Sequence, residues 1–182
     1  MRTLRLRPTA FAALALLAAG VVLTGCYKAP EFVNPVYNCG CGSLQFEGAN
    51  YPLKMSEAVI WDTLQPKSRR YHLVADLRTP EEIERHADGH DLTVMLEFDS
   101  INRPAFYLPA DGIVHRIEKI DHRSGSTATR RFVCVNGVVA PSPALLGGTE
   151  TVNFEMLLRE VVGDDTVGFE IPFSGSFSAT ID

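Results

Sequence analysis

From Ser43 onward the chain alternates apolar and polar residues in short stretches, the period-two signature of strands with one buried face. Asp91–Asp99 shows it most cleanly, with Leu92, Val94, Leu96 and Phe98 on one face and Thr93, Met95, Glu97 and Asp99 on the other. Tyr71–Leu77 places Tyr71, Leu73, Ala75 and Leu77 together in the same way, and Ala58–Leu64, apolar around Trp61, predicts a companion strand at the centre of a sheet. Ser43–Glu47 and Tyr51–Lys54 bracket Gly48-Ala49-Asn50, which predicts a hairpin. Thr151–Val162 and Thr166–Phe173 bracket Gly163-Asp164-Asp165 and predict a second, in which Val152, Phe154, Met156 and Leu158 share a face, as do Val167, Phe169, Ile171 and Phe173.

Between these lie Ala105–Leu108 and Ile113–Ile120 around the turn residues Pro109–Gly112. Arg131–Val139 is strand-like but carries Asn136-Gly137, a tight-turn signal that predicts a break. Pro141–Gly148 reads as loop, and Gly175 as a bend or bulge before a last short strand with Phe177 and Ile181. One helix start stands out: Thr79 as N-cap, Pro80 in the first turn and Glu82 completing a capping box, with Gly89 as the stop. The expected fold is therefore mainly β, an antiparallel β-sandwich or alternatively a closed β-barrel, with one short helix near residues 79–88.

The beginning of the chain follows a different pattern. Arg2, Arg5 and Arg7 precede an apolar run from Ala10 to Val22, and small residues follow it. That run of about 13 residues is shorter than the roughly 20 a membrane-spanning helix needs, so it reads as an export signal. Its ending, Leu23-Thr24-Gly25-Cys26, closely resembles the lipobox of bacterial lipoproteins. The resemblance implies that residues 1–25 are removed, that Cys26 is lipidated, and that the membrane is a partner through the acyl anchor. By the same resemblance, Tyr27 after the cysteine points to the outer membrane of a Gram-negative envelope. Residues 26–38, with Pro30 and Pro35 and no periodicity, read as a linker reaching at most about 40 Å, and residues 39–182 as a single β domain.

Charge and cysteine usage narrow the function. The formal net charge is −5, and the signal takes three of the arginines with it. An acidic domain argues against nucleic acid as a partner, and the doublets Arg69-Arg70 and Arg130-Arg131 read as solvated strand edges. With Cys26 acylated, Cys39, Cys41 and Cys134 remain, which in an oxidising envelope predicts one disulfide and one leftover thiol. Cys134 paired with Cys39 or Cys41 would close a loop of about 95 residues, contributing roughly 4 kcal/mol in the chain-entropy picture. The rival reading is a metal site built from Cys39-Gly40-Cys41 and a histidine.

Chemistry beyond this is sparse. His86, Asp88 and His90, with Asp91, gather potential metal ligands near one loop, but no third distant ligand can be named. Asp76–Glu82 followed by Gly89-His90 resembles the opening motif of rhodanese-like sulfurtransferases, and His122–Ser126 their active-site loop. In that loop His122 stands where the sulfur-carrying cysteine belongs, so the nucleophile is missing. Glu97 and Asp99 share a strand face about 7 Å apart without any further sign of glycosidase chemistry. The final hairpin followed by Gly175-Ser176-Phe177-Ser178 resembles the last strands of uncharacterised β-sandwich lipoproteins of Bacteroidota-type bacteria.

The expected function is a lipid-anchored envelope protein whose β domain binds or scaffolds without catalysis or cofactor, with an envelope protein as a possible partner. One alternative is a barrel holding a small apolar ligand in a cavity lined by residues such as Phe154, Phe169 and Phe173. The other is a metal-dependent enzyme using His86, Asp88 and His90.

Overall fold

Set one three-residue strand aside, and the strands follow sequence order around a ring. The computed structural model describes residues 38–85, 89–121 and 127–181. Its elements are β1 (Gly42–Phe46), β2 (Ala49–Val59), β3 (Arg69–Asp76), α1 (Pro80–Glu84), β4 (His90–Phe98), β5 (Phe106–Leu108), β6 (Ile113–Asp121), β7 (Ala128–Ser142), β8 (Thr149–Val162) and β9 (Asp165–Thr180). All strand pairings are antiparallel, from β1–β2 round through β4–β6, β6–β7, β7–β8 and β8–β9 to β9–β1. The result is a closed, eight-stranded, up-and-down barrel, with β5 pairing the far part of the same β7 edge that β6 uses at the other end. Of the two architectures the alternation allows, the chain takes the barrel and not the sandwich.

The interior is filled with aromatic side chains. Phe132, Phe46, Phe173, Phe154, Phe177, Tyr71, Phe98 and Phe106 form one unbroken column, each ring against the next at centroid distances from 5.1 to 6.4 Å, in edge-on or tilted geometry. Arg130 lies over Phe132 at one end of the column and Arg103 over Phe106 at the other. Leu73, Leu92, Val94, Leu96, Val152 and Leu158 pack around it, fully buried. The expected ligand cavity is therefore not formed: Phe154 and Phe173 touch each other at 5.1 Å, and Phe169 is 94% exposed on the outside.

Glycine allows the column its closest approach. A Cβ on Gly175 of β9 would stand 2.8 Å from Phe154 Cζ and 2.7 Å from Leu44 Cδ2, so the Phe154 ring occupies the place of that side chain. Gly175 marks no break, because β9 runs through it to Thr180. Asn136-Gly137 likewise makes no turn. β7 continues as one strand with a register shift against β8 between Cys134 and Asn136, and a Cβ on Gly137 would meet Met156 Cγ at 2.8 Å.

Ala58–Leu64 is also not a strand, since β2 ends at Val59 and the chain turns. Trp61 instead donates its indole N–H to the Phe98 carbonyl at 3.0 Å. The helix has the predicted capping box between Thr79 and Glu82 but is short, ending at Glu84 with Arg85 as C-cap.

Truncating the column at its centre removes contacts with two rings at once. Phe154→Ala is expected to cost about 3–5 kcal/mol in urea unfolding, whereas Phe169→Ala on the outer wall should stay within about 0.5 kcal/mol of the parent. Equal effects at the two sites would contradict the filled interior.

Candidate functional site

The barrel has two mouths, and they are built differently. At one, three connections converge: residues 60–68 between β2 and β3, residues 99–105 between β4 and β5, and residues 143–148 between β7 and β8. Between them lies a groove of about 970 Å³. Its walls are Ile60, Pro66, Ile101, Pro104, Pro141, Pro143, Ala144, Leu145 and Leu146, and its polar lining is Lys67, Arg69, Asn102, Arg103 and Ser142. Two shallower depressions of about 510 and 700 Å³ on the outer wall share Gln45, Val138, Glu155 and Ser174. The mouth groove has the size, the apolar lining and the few convergent polar groups of a binding site.

The groove rests on a buried ion pair. Arg69 is 3% exposed and Glu150 fully buried, with Arg69 Nε donating to Glu150 Oε1 at 2.8 Å. Tyr71 donates its hydroxyl to Glu150 Oε2 at 2.8 Å, and Ala144 its backbone N–H to Oε1 at 3.3 Å. Arg69 also donates to the carbonyls of Pro66, Ser68 and Ala144, tying the 60–68 and 143–148 connections to the barrel. Burial, reinforced by the Glu150 carboxylate, pushes the Tyr71 phenol far above its ordinary value, so it remains a donor at any working pH.

The connections carrying the apolar wall are held by their backbones. Gly147 donates to the Ile181 carbonyl, Ile181 to that of Gly148, and Gly148 to that of Leu145. Ser68 donates to the Gln65 carbonyl and Ile101 to that of Lys67. With the backbone fixed, Leu145 and Leu146 stand 86% and 70% exposed, and Leu64 on the neighbouring connection is 90% exposed.

The groove's charge also departs from that of the chain. Acidic residues outnumber basic ones, 22 to 17, yet the lining carries three cationic side chains and no carboxylate. Arg69 is neutralised from behind by Glu150, and Arg103 pairs with Asp111 at 2.8 Å. Lys67 is exposed and makes no ion pair among the described residues.

Comparison with protein-family models, with curated proteins and with solved structures finds no match.

The opposite mouth is closed by ion pairs. Lys119 of β6 donates to Glu47 at 2.8 Å, and Arg130 of β7 bridges Glu47 at 3.0 Å and Glu160 of β8 at 2.7 Å. Burial works to raise the Glu47 carboxyl, but the hydrogen bonds from Lys119 and Arg130 prevail and hold it below its ordinary value. The Arg130 hydrogen bond holds Glu160 down in the same way, against a smaller effect of burial.

Of the candidate site residues named from sequence, Cys39, Cys41, Cys134 and His90 are described and do not line the groove. Cys39 and Cys41 pair with each other, Cα to Cα 5.1 Å, and Cys134 is the leftover thiol. The long-loop pairing is corrected because Cys134 lies on β7, where its Sγ faces the Asn136 carbonyl at the bulge. Burial pushes that thiol up to about 11, against a smaller opposing effect of the Asn136 backbone. Cys26, His86, Asp88 and His122 lie outside the described residues. His90 is buried at the start of β4, its Nε2 3.4 Å from Glu82 Oε1 and its Nδ1 3.9 Å from Asp121 Oδ2. Among the described residues no three His, Cys, Asp or Glu side chains gather as a metal site.

The solvated reading of Arg69-Arg70 fails at its first residue. Arg69 is in the inward phase of β3 with Tyr71, Leu73 and Ala75, while Arg70 faces outward and pairs with Glu97. Sequence analysis missed Glu150 as well, although the signal was present: Glu150 precedes Val152, Phe154, Met156 and Leu158 in the same phase. A carboxylate in the inward phase of one strand and a guanidinium in that of another call for each other.

Two measurements follow. Glu150→Leu leaves the Arg69 charge buried and is expected to cost about 3–5 kcal/mol in urea unfolding, most of it recovered in the double variant Arg69→Met with Glu150→Leu. For the opposite mouth, the folded carboxyl values of Glu47 and Glu160 lie below the ordinary 4.5. Their contribution is therefore complete above that pH and lost as pH falls through the lower folded values. Unfolding free energy should hold steady from about pH 7 to about pH 5 and then fall, and Arg130→Met should flatten part of the fall.

Proposed function

We propose that this chain is a lipoprotein of the bacterial envelope, held through Cys26 to a membrane, the outer one by the Tyr27 criterion, and that its barrel is a non-catalytic binding module. The export signal and the Leu23–Cys26 resemblance support the tether. The observation that carries the binding role is the groove at the mouth: an apolar wall on backbone-held connections, above a buried ion pair whose arginine also holds those connections. A ligand held inside the barrel is disfavoured by the aromatic column, which fills that space. The column therefore favours contact at the rim over contact inside the barrel.

The tether and the binding role are tested separately. Cys26→Ser should move the protein from the membrane fraction to the soluble envelope fraction, and retention in the membrane would refute the lipid anchor. A photo-crosslinking residue placed at Leu145 in the living envelope should give a discrete adduct that is absent when the same residue replaces Arg116 on the outer wall. The same adduct profile at both positions would remove the groove as the binding site, and so would no adduct at either together with no binding of a small amphiphile.

A further inference from the structure

Inference about the occupant begins with the asymmetry between the groove's walls and its charge. The walls offer prolines and leucines and so favour an apolar body. The charged side chains of the lining are all cations, in a protein whose net charge is negative. A purely apolar ligand would leave Lys67 beside it without a counter-charge, and a cationic ligand would be repelled.

Arg69 adds a second element at the floor. A guanidinium has five N–H donors. Four hydrogen bonds account for its Nε, both N–H groups of Nη1 and one of Nη2, leaving one N–H of Nη2 to spare in a side chain that lines the groove. Lys67 has no ion-pair partner among the described residues, and Asn102 brings an amide to the same lining. The groove thus combines one uncommitted cation and one buried donor with a wall for a hydrocarbon body.

We propose that the groove takes an amphipathic carboxylate of the fatty-acid class. Its alkyl chain lies along Pro104, Pro143 and Leu145, and its carboxylate lies between Lys67 and the free Nη2 donor of Arg69. Charge-assisted hydrogen bonds of this kind supply the discrimination between the acid and an uncharged analogue of the same length. The inference rests on the groove being the binding site of the preceding section and adds the class of its occupant.

The probe is dodecanoate, titrated below its micelle concentration into the mature chain carrying Cys26→Ser and exported behind an ordinary signal. That form is suitable because the barrel closes its ladder and its core within residues 42–181. Trp61, the only tryptophan, adjoins Ile60 of the groove wall and reports binding through its fluorescence.

Saturable binding is expected, with dodecan-1-ol weaker by about tenfold or more. Lys67→Glu should weaken dodecanoate by a similar factor, while Arg116→Glu on the outer wall should leave it unchanged. Urea midpoints of the two variants check that each is folded. Absence of saturation, equal affinity for acid and alcohol, or an unaffected Lys67→Glu would overturn the proposal. If dodecanoate fails while crosslinking at Leu145 yields a protein adduct, the binding module survives and the amphiphile does not. If crosslinking at Leu145 and dodecanoate both fail, the groove itself is excluded.

Discussion

A closed ring of eight strands encloses a space that side chains must fill, and here a single column of aromatic rings fills it. Most of the remaining structure accommodates that column. β9 gives up a side chain at Gly175 so that Phe154 can lie across it, and Arg130 and Arg103 cover the two ends with their charges in contact with ring faces. Because the rings leave the interior no room, anything this barrel binds must be met at a mouth or on the outer wall.

Tyr71 links the column to the groove. Its ring stacks edge-on to Phe98 and Phe177, and its hydroxyl donates to Glu150. Through Glu150 and Arg69 that one side chain couples the packing of the interior to the placement of Ala144 and Pro66 at the rim. A buried pair of this kind contributes little net stability against an apolar replacement, so its value lies in geometry. At the opposite mouth the ion pairs are partly exposed, and their cations Lys119 and Arg130 lie over the rings of Phe46 and Phe132.

The sequence made the strands legible wherever alternation was clean, as at Leu92–Phe98 and Val152–Leu158, and the Thr79 cap was equally clear because it is a local pattern. It misled where one residue type serves two purposes. Asn136-Gly137 suits a tight turn, but the glycine is there because β8 comes too close for a side chain, a fact settled by a strand far along the chain. Closure was undecidable for the same reason: sandwich and barrel bury the same face of each strand, and only the β9–β1 and β7–β8 ladders distinguish them. The groove was hidden more deeply, because Pro141–Gly148 looks like a plain loop until Arg69 and Glu150 are seen to hold it.

The prolines in that groove have a thermodynamic consequence. Each limits the unfolded chain, so holding Pro66, Pro104, Pro141 and Pro143 in place costs less conformational entropy than four flexible residues would. A wall already ordered in the free protein leaves less ordering to be done when a ligand arrives, and preorganisation of this kind raises affinity without adding contacts. Leu145 and Leu146 differ from the prolines, being exposed side chains on a hydrogen-bonded backbone. Under the proposed role, a wall ordered in advance suits a ligand class recognised by its headgroup.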